Sequence, residues 1–206
     1  FYIIAFVFGS IWGSFANVCI HRLPQGTSVT KGRSNCPSCN QVIKWFDNIP
    51  LISFILLKGK CRNCSVKINP QYFLVELIAA LGFVISYYFF GISVTTLLFF
   101  ILVIFFIIIF FIDLKHFIIP NELSISLMII GFLKSFDPYL NQYLFPNYLN
   151  SLIGGVIGYS IIWFIIFAYK KLRNKDGMGL GDAKLLSAIG FWFGWISIPF
   201  ILFFSS

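Results

Sequence analysis

Acidic residues are scarce: the 206-residue chain has seven Asp and Glu, and only 11% of it is charged. That excludes the solvated exterior of a soluble domain. A 59% hydrophobic content with 27 Phe is instead the composition of an integral membrane protein. Histidine is nearly missing. His21 and His116 are the only two, and neither has the partners of a catalytic triad or a histidine metal site. No internal repeat is visible, and no low-complexity segment stands out beyond the Phe/Ile-rich runs. Residues 1–20 lack a basic start and a small-residue cleavage site, so they do not read as a signal peptide.

Long uncharged runs are what the chain has in abundance. A span needs about 20 mainly apolar residues. Residues 1–20, 92–112, 151–169 and 185–206 qualify without one charge. Residues 72–90, with Glu76 near the start, and 117–133, interrupted by Pro120, Asn121 and Glu122, make two further candidates. The expectation is an all-α polytopic membrane protein of about six transmembrane helices. The divisions are a first helix at 1–20, a small domain at 21–71 and a membrane core at 72–206. The numbering starts at Phe and stops inside an apolar run, so both ends are expected to be incomplete.

Charge then orients the chain. With six spans, 14 of the 15 basic residues fall in connections on one side and only Lys134 on the other. The positive-inside rule makes the crowded side cytoplasmic. The net charge of +8 is therefore a topology signal. The charges flank membrane segments and form no separate basic domain, so nucleic acid is not an expected partner; the lipid bilayer is.

The connection at 21–71 carries Cys36-Pro37-Ser38-Cys39 and Cys61-Arg62-Asn63-Cys64, separated by 21 residues. Two residues between sulfurs bring both thiolates of a pair to one point, and two such pairs make a closed tetrahedral Zn²⁺ site. Lys60, Arg62 and Lys67 would offset its negative charge. Disulfides or a redox motif are the rivals. Cytoplasmic thiols stay reduced, and a redox Cys-x-x-Cys is normally single, so Zn²⁺ at Cys36, Cys39, Cys61 and Cys64 is the stronger reading. Cys19 reads as a small packing residue in the first helix. Residues 49–57 are too few to span; they belong in the interface or over the cysteine module.

Two of the rare acids close or open apolar runs. Asp113 ends residues 92–112, and Asp182 follows Gly179-Leu180-Gly181 and precedes 185–206. A carboxylate near hydrocarbon faces a polar cavity, pairs, or does chemistry. Two carboxylates sharing a site divide into a protonated and an ionised member. The ionised one takes a proton from water while the other polarises a peptide carbonyl. Gly179 and Gly181 leave the backbone without bulk, so an extended substrate can approach Asp182. Plainer readings stand beside this. Asp182 suits a helix N-cap, Asp113 a pairing with Lys115 or His116, Glu76 a contact between helices, and Glu122 a first-turn helix charge.

Gly179-Leu180-Gly181-Asp182 fits the GxGD signature of intramembrane aspartyl proteases. Asp113-Leu114-Lys115-His116-Phe117-Ile118-Ile119-Pro120, the segment from Gly13 to Pro24, the double Cys-x-x-Cys and Asn48-Ile49-Pro50 extend the likeness in order over most of the chain. The whole set resembles bacterial type IV prepilin peptidases. The resemblance implies removal of a short basic leader from prepilins or pseudopilins at the cytoplasmic face of the bacterial inner membrane, by Asp113 and Asp182. It also implies S-adenosylmethionine-dependent methylation of the new amino terminus, though no glycine-rich methyltransferase loop after a strand is visible. The sequence departs from the family at Asn121, where Asp is usual, and at Tyr72-Phe73, where Tyr-Pro is. A basic leader would meet scarce acids such as Asp47, Glu122 or Asp176, while the pilin's apolar helix docks among the spans. The rivals are a peptidase without methyltransferase activity and a zinc-stabilised membrane scaffold or transporter using the aspartates as a proton relay.

Overall fold

A computed structural model describes residues 1–30, 32, 34–140, 145–173 and 179–205. Lys31, Arg33, Lys175 and Asp176 lie outside the described residues. The described chain is helical, with two isolated β-bridges and no strand. Its helices are α1 (Tyr2–Arg22), α2 (Ile52–Leu56), α3 (Gln71–Phe90), α4 (Val94–His116), α5 (Asn121–Lys134), α6 (Tyr148–Arg173), α7 (Leu180–Phe193) and α8 (Ser197–Ser205). They fall into two compact units, Phe1–His116 and Phe117–Ser206.

Among the described residues four segments are long and apolar enough to cross a membrane: Tyr2–Gln25, Gln71–Phe90, Val94–His116 and Tyr148–Leu172. The all-helical expectation holds, and six spans are not confirmed. Helix α5 starts only after Pro120 and has 14 residues, about 21 Å at 1.5 Å per residue, short of a hydrocarbon core of about 30 Å. The uncharged run 185–206 is not one helix. It breaks at Gly194, whose φ of +79° ends α7 before α8 begins. Hydropathy is blind to both interruptions.

In the first unit α1 and α3 meet along small residues. A Cβ on Gly13 would lie 2.7 Å from Glu76 Cα and 2.9 Å from Ala79 Cβ; one on Gly9 would lie 2.8 Å from Ala80 Cα. Gly9-x-x-x-Gly13 thus lets two backbones approach, as small residues do between helices in lipid. Phe83 and Phe100 then stack at 3.9 Å, joining α3 to α4. Gly13→Val is expected to destabilise the protein by about 1–3 kcal/mol through overpacking. Thermal unfolding in detergent would measure this, with exposed Ile3→Val as the near-neutral control.

In the second unit α7 lies against both α5 and α6. Gly154 and Gly190 leave room for each other's backbone. Ser187 donates to the Gly155 carbonyl (2.8 Å) and Ser151 to the Phe191 carbonyl (2.7 Å). Trp192 Nε1 donates to the Leu127 carbonyl (2.9 Å). The buried Lys134 Nζ donates to the Trp192 carbonyl (2.9 Å) and sits 3.9 Å from the Phe145 ring. Lys134 thereby takes a carbonyl left without a helical partner at the C-terminus of α7.

Candidate active site and metal centre

The cysteine segments fold as two copies of one knuckle. In the first, Asn35 bridges Val42, the Cys36 N–H donates to Gln41, the Asn40 N–H to Cys36, and the Ile43 N–H to Ser34. In the second, Lys60 bridges Lys67, Cys61 donates to Val66, Ser65 to Cys61, and Ile68 to Gly59. Every position is displaced by the same interval in the chain. Asn40 (φ +54°) and Ser65 (φ +57°), each just after the second cysteine, turn the backbone back in the same way. The chain therefore holds a local repeat that the sequence does not display, because little beyond the cysteines and Ile43/Ile68 recurs.

The knuckles bring all four sulfurs within 4.8 Å of one another. Cys36 Sγ and Cys64 Sγ are 3.8 Å apart. A tetrahedron with Zn–S bonds of about 2.3 Å has an edge of about 3.8 Å, so the donor set fits Zn²⁺. No cysteine is in a disulfide. Backbone N–H groups of Cys39 and Ser38 lower the Cys36 thiol to about 6, and those of Cys64 and Asn63 lower Cys61. Against the lowering N–H of Val66, burial and the three neighbouring thiols push Cys64 up to about 11. A divalent cation removes that conflict, because all four can then be thiolates. Arg62 is already committed: it forks onto Asp47, with Nη2 2.6 Å and Nε 2.9 Å from the carboxylate oxygens. Its hydrogen bonds hold Asp47 below the ordinary carboxylate range. Asp47 is thus not a free acid for a basic leader. Cys19 is buried in α1, outside the cluster.

A second polar device ties the segment between the knuckles to α3. Leu51 has φ +61° and ψ −50°, and the Ile52 N–H reaches the Pro50 carbonyl at 2.6 Å, a strained γ-turn at a bulky residue. The buried Glu76 holds it, with Oε2 2.8 Å from the Leu51 N–H. Glu76 is therefore more than a helix–helix contact: it fastens the 45–57 segment to α3. Sequence shows a lone acid near a helix start and no sign of this partner. Glu76→Ala leaves a buried N–H unpaired, a cost of about 1–3 kcal/mol. Faster amide exchange at Leu51 and Ile52 is the expected readout, with Glu76→Gln largely preserving protection.

Asp113 stands exposed in the last turn of α4, in the first unit. Asp182 stands exposed in the first turn of α7, in the second. The N-cap of α7 is Gly179, so Asp182 is the third helical residue and not the cap. There its carboxylate faces the positive end of the helix dipole, whereas Asp113 is at a negative end. Among the described residues, only the Gly181 nitrogen lies near a Cβ built on Gly179. Gly181 is not open: a Cβ there would meet Ile119 Cβ at 3.1 Å. Ile119 thus fills one of the two glycine gaps, and Lys184 Nζ donates to Asn121 Oδ1 at 2.6 Å. Glu122 is exposed in the first turn of α5. Within the first unit, a cavity of about 510 Å³ opens between the start of α3 and the end of α4, walled by Phe73, Leu74, Phe111 and Leu114.

Two family models match the chain, and their boundary lies before α4 ends, so Asp113 and Asp182 fall under one of them. A family model described as the bacterial peptidase A24 N-terminal domain matches residues 7–90, which hold both knuckles and Glu76. A second, described as the type IV leader peptidase family, matches residues 100–206, which hold Asp113 and Asp182. The chain belongs to the type IV leader peptidase family. A prepilin leader peptidase/N-methyltransferase of Aeromonas salmonicida (strain A449) is 34% identical, over all of this chain and 78% of its own length. Those of Klebsiella pneumoniae and Vibrio cholerae serotype O1 are each 35% identical, over 98% and 100% of this chain and 89% and 83% of their own lengths. No solved structure matches this leader peptidase family chain. Family membership and the apolar helices together make it a multi-pass membrane protein of prepilin processing.

Proposed function

We propose that this chain is an aspartyl endopeptidase that removes the basic leader of type IV prepilins or pseudopilins at the cytoplasmic face of the inner membrane, and methylates the new amino terminus. Two exposed carboxylates at helix ends, each beside a motif of the matched family, carry the reading. One of Asp113 and Asp182 acts as base toward water, and the other donates a hydrogen bond to the scissile carbonyl. Gly179 leaves the backbone open for an extended peptide. The basic connections support the cytoplasmic placement.

Cys36, Cys39, Cys61 and Cys64 would hold Zn²⁺ in a closed, structural role, with no open position for water. The methyl donor is a cosubstrate. A cavity of about 700 Å³ walled by Lys44, Trp45, Phe46 and Asn48 is large enough for it. Its lining residues include no carboxylate to receive the donor's ammonium or ribose hydroxyls. Incubating detergent-purified protein with a prepilin and S-adenosylmethionine tests both halves. Loss of the leader reads the peptidase, and a methyl-group gain in the product's mass reads the transferase. An intact prepilin after prolonged incubation would sink the proposal and favour a scaffold or transporter.

A further inference from the structure

Helix α2 turns an apolar face outward on a protein already rich in membrane helices. Ile52, Ile55 and Leu56 are 54%, 63% and 75% exposed, and their i, i+3, i+4 spacing places them on one side of the helix. The other side is fastened down. Ser53 is buried, accepts from the Ile49 N–H (3.0 Å) and donates to the Phe46 carbonyl (2.9 Å). Phe54 packs on Phe73 of α3 with ring centroids 5.2 Å apart.

The fastening fixes depth. Glu76, which holds the Leu51 N–H, is five residues into α3, about 7.5 Å from its start at 1.5 Å per residue. Helix α3 has 20 residues, about 30 Å, which matches the hydrocarbon core. A segment bonded to its second turn sits at the boundary of acyl chains and headgroups.

Charge names the lipid. Residues 42–69 contain one acid, Asp47, and Arg62 occupies it. Lys44, Lys58 and Lys60 are exposed, and among the described residues Lys58 and Lys60 have no ion-pair partner. We infer that α2 is a membrane-surface foot: Ile52, Ile55 and Leu56 enter the interface, and Lys44, Lys58 and Lys60 meet anionic phospholipid headgroups. An apolar face beside basic residues is the pattern of segments lying in that plane. The foot would keep the cysteine module at a set height over the membrane.

The test uses the full chain in nanodiscs of phosphatidylcholine with phosphatidylglycerol. Leu56→Trp adds one tryptophan, and subtracting the parent's emission isolates it; Ile55→Trp serves if Leu56→Trp does not fold. With bromine-labelled acyl chains the added emission is expected to fall by roughly half or more and to resist aqueous acrylamide. Pure phosphatidylcholine, or Lys58→Gln with Lys60→Gln, is expected to weaken that quenching. Emission untouched by bromolipid overturns the inference. So does emission that responds to an added prepilin peptide in place of bromolipid, which would make this face a substrate site. Equal quenching with and without the anionic lipid overturns the headgroup assignment.

Discussion

Asp113→Asn and Asp182→Asn are each expected to abolish leader removal while leaving the protein folded. The loss should reach about 10²–10⁴-fold or more, the range for removing a positioned acid or base. Both side chains are exposed and the amide is nearly isosteric, so neither change opens a cavity. Their small stability effects should have opposite signs. Asp182 stands at the positive end of α7 and Asp113 at the negative end of α4. Helix-dipole contributions of about 0.3–1 kcal/mol therefore predict a slight loss for Asp182→Asn and a slight gain for Asp113→Asn. A cleavage assay on membranes, paired with thermal unfolding in detergent, separates the two properties. Activity of wild type should also fall on both sides of an intermediate pH, because double protonation removes the base and double ionisation removes the acid. Substantial turnover by either variant would remove the paired-carboxylate mechanism.

What was readable in the sequence was whatever depends on spacing and composition. Cys-x-x-Cys twice, with a 21-residue interval, announced a four-sulfur site, and the sulfurs do converge. Long Phe/Ile runs announced helices α1, α3, α4 and α6. The failures share a cause: a backbone event that hydropathy averages away. Gly194 divides one apolar run into α7 and α8, and Pro120 delays α5 until too few residues remain to span. Gly181 looked like open approach, but openness is a tertiary property, and Ile119 fills it. Asp182 looked like a cap, yet Gly179 caps α7 and leaves Asp182 three residues inside it. Glu76 was visible as a rare acid. Its partner, the N–H of Leu51, is a backbone group 25 residues away in the chain, and no side-chain pattern marks a backbone donor.

Zinc removal is expected to have the other large effect, on structure before chemistry. The purified protein should contain one Zn²⁺ per chain. Chelation under denaturing stress, or Cys36→Ser, should open residues 21–70 to proteolysis while the membrane helices keep their helical signal. The reason lies in what else holds that segment. Among its described residues it has no strand, one ion pair, Arg62–Asp47, and two isolated bridges. An exposed ion pair contributes about 0–1 kcal/mol, whereas a structural Zn²⁺ site can supply about 10 kcal/mol or more of folding free energy. The segment between the two knuckles is fastened to α3 through Phe54–Phe73 and Leu51–Glu76, not through the knuckles themselves. Losing the metal should therefore free Cys36–Cys39 and Cys61–Cys64 from each other and leave α2 tethered. Limited proteolysis read by mass spectrometry would show cuts near 30–45 and 58–68, with 49–57 slower. A native preparation without zinc, or with a disulfide joining the pairs, would refute the site. Uniform digestion across 21–70 would refute the separate tether at Glu76.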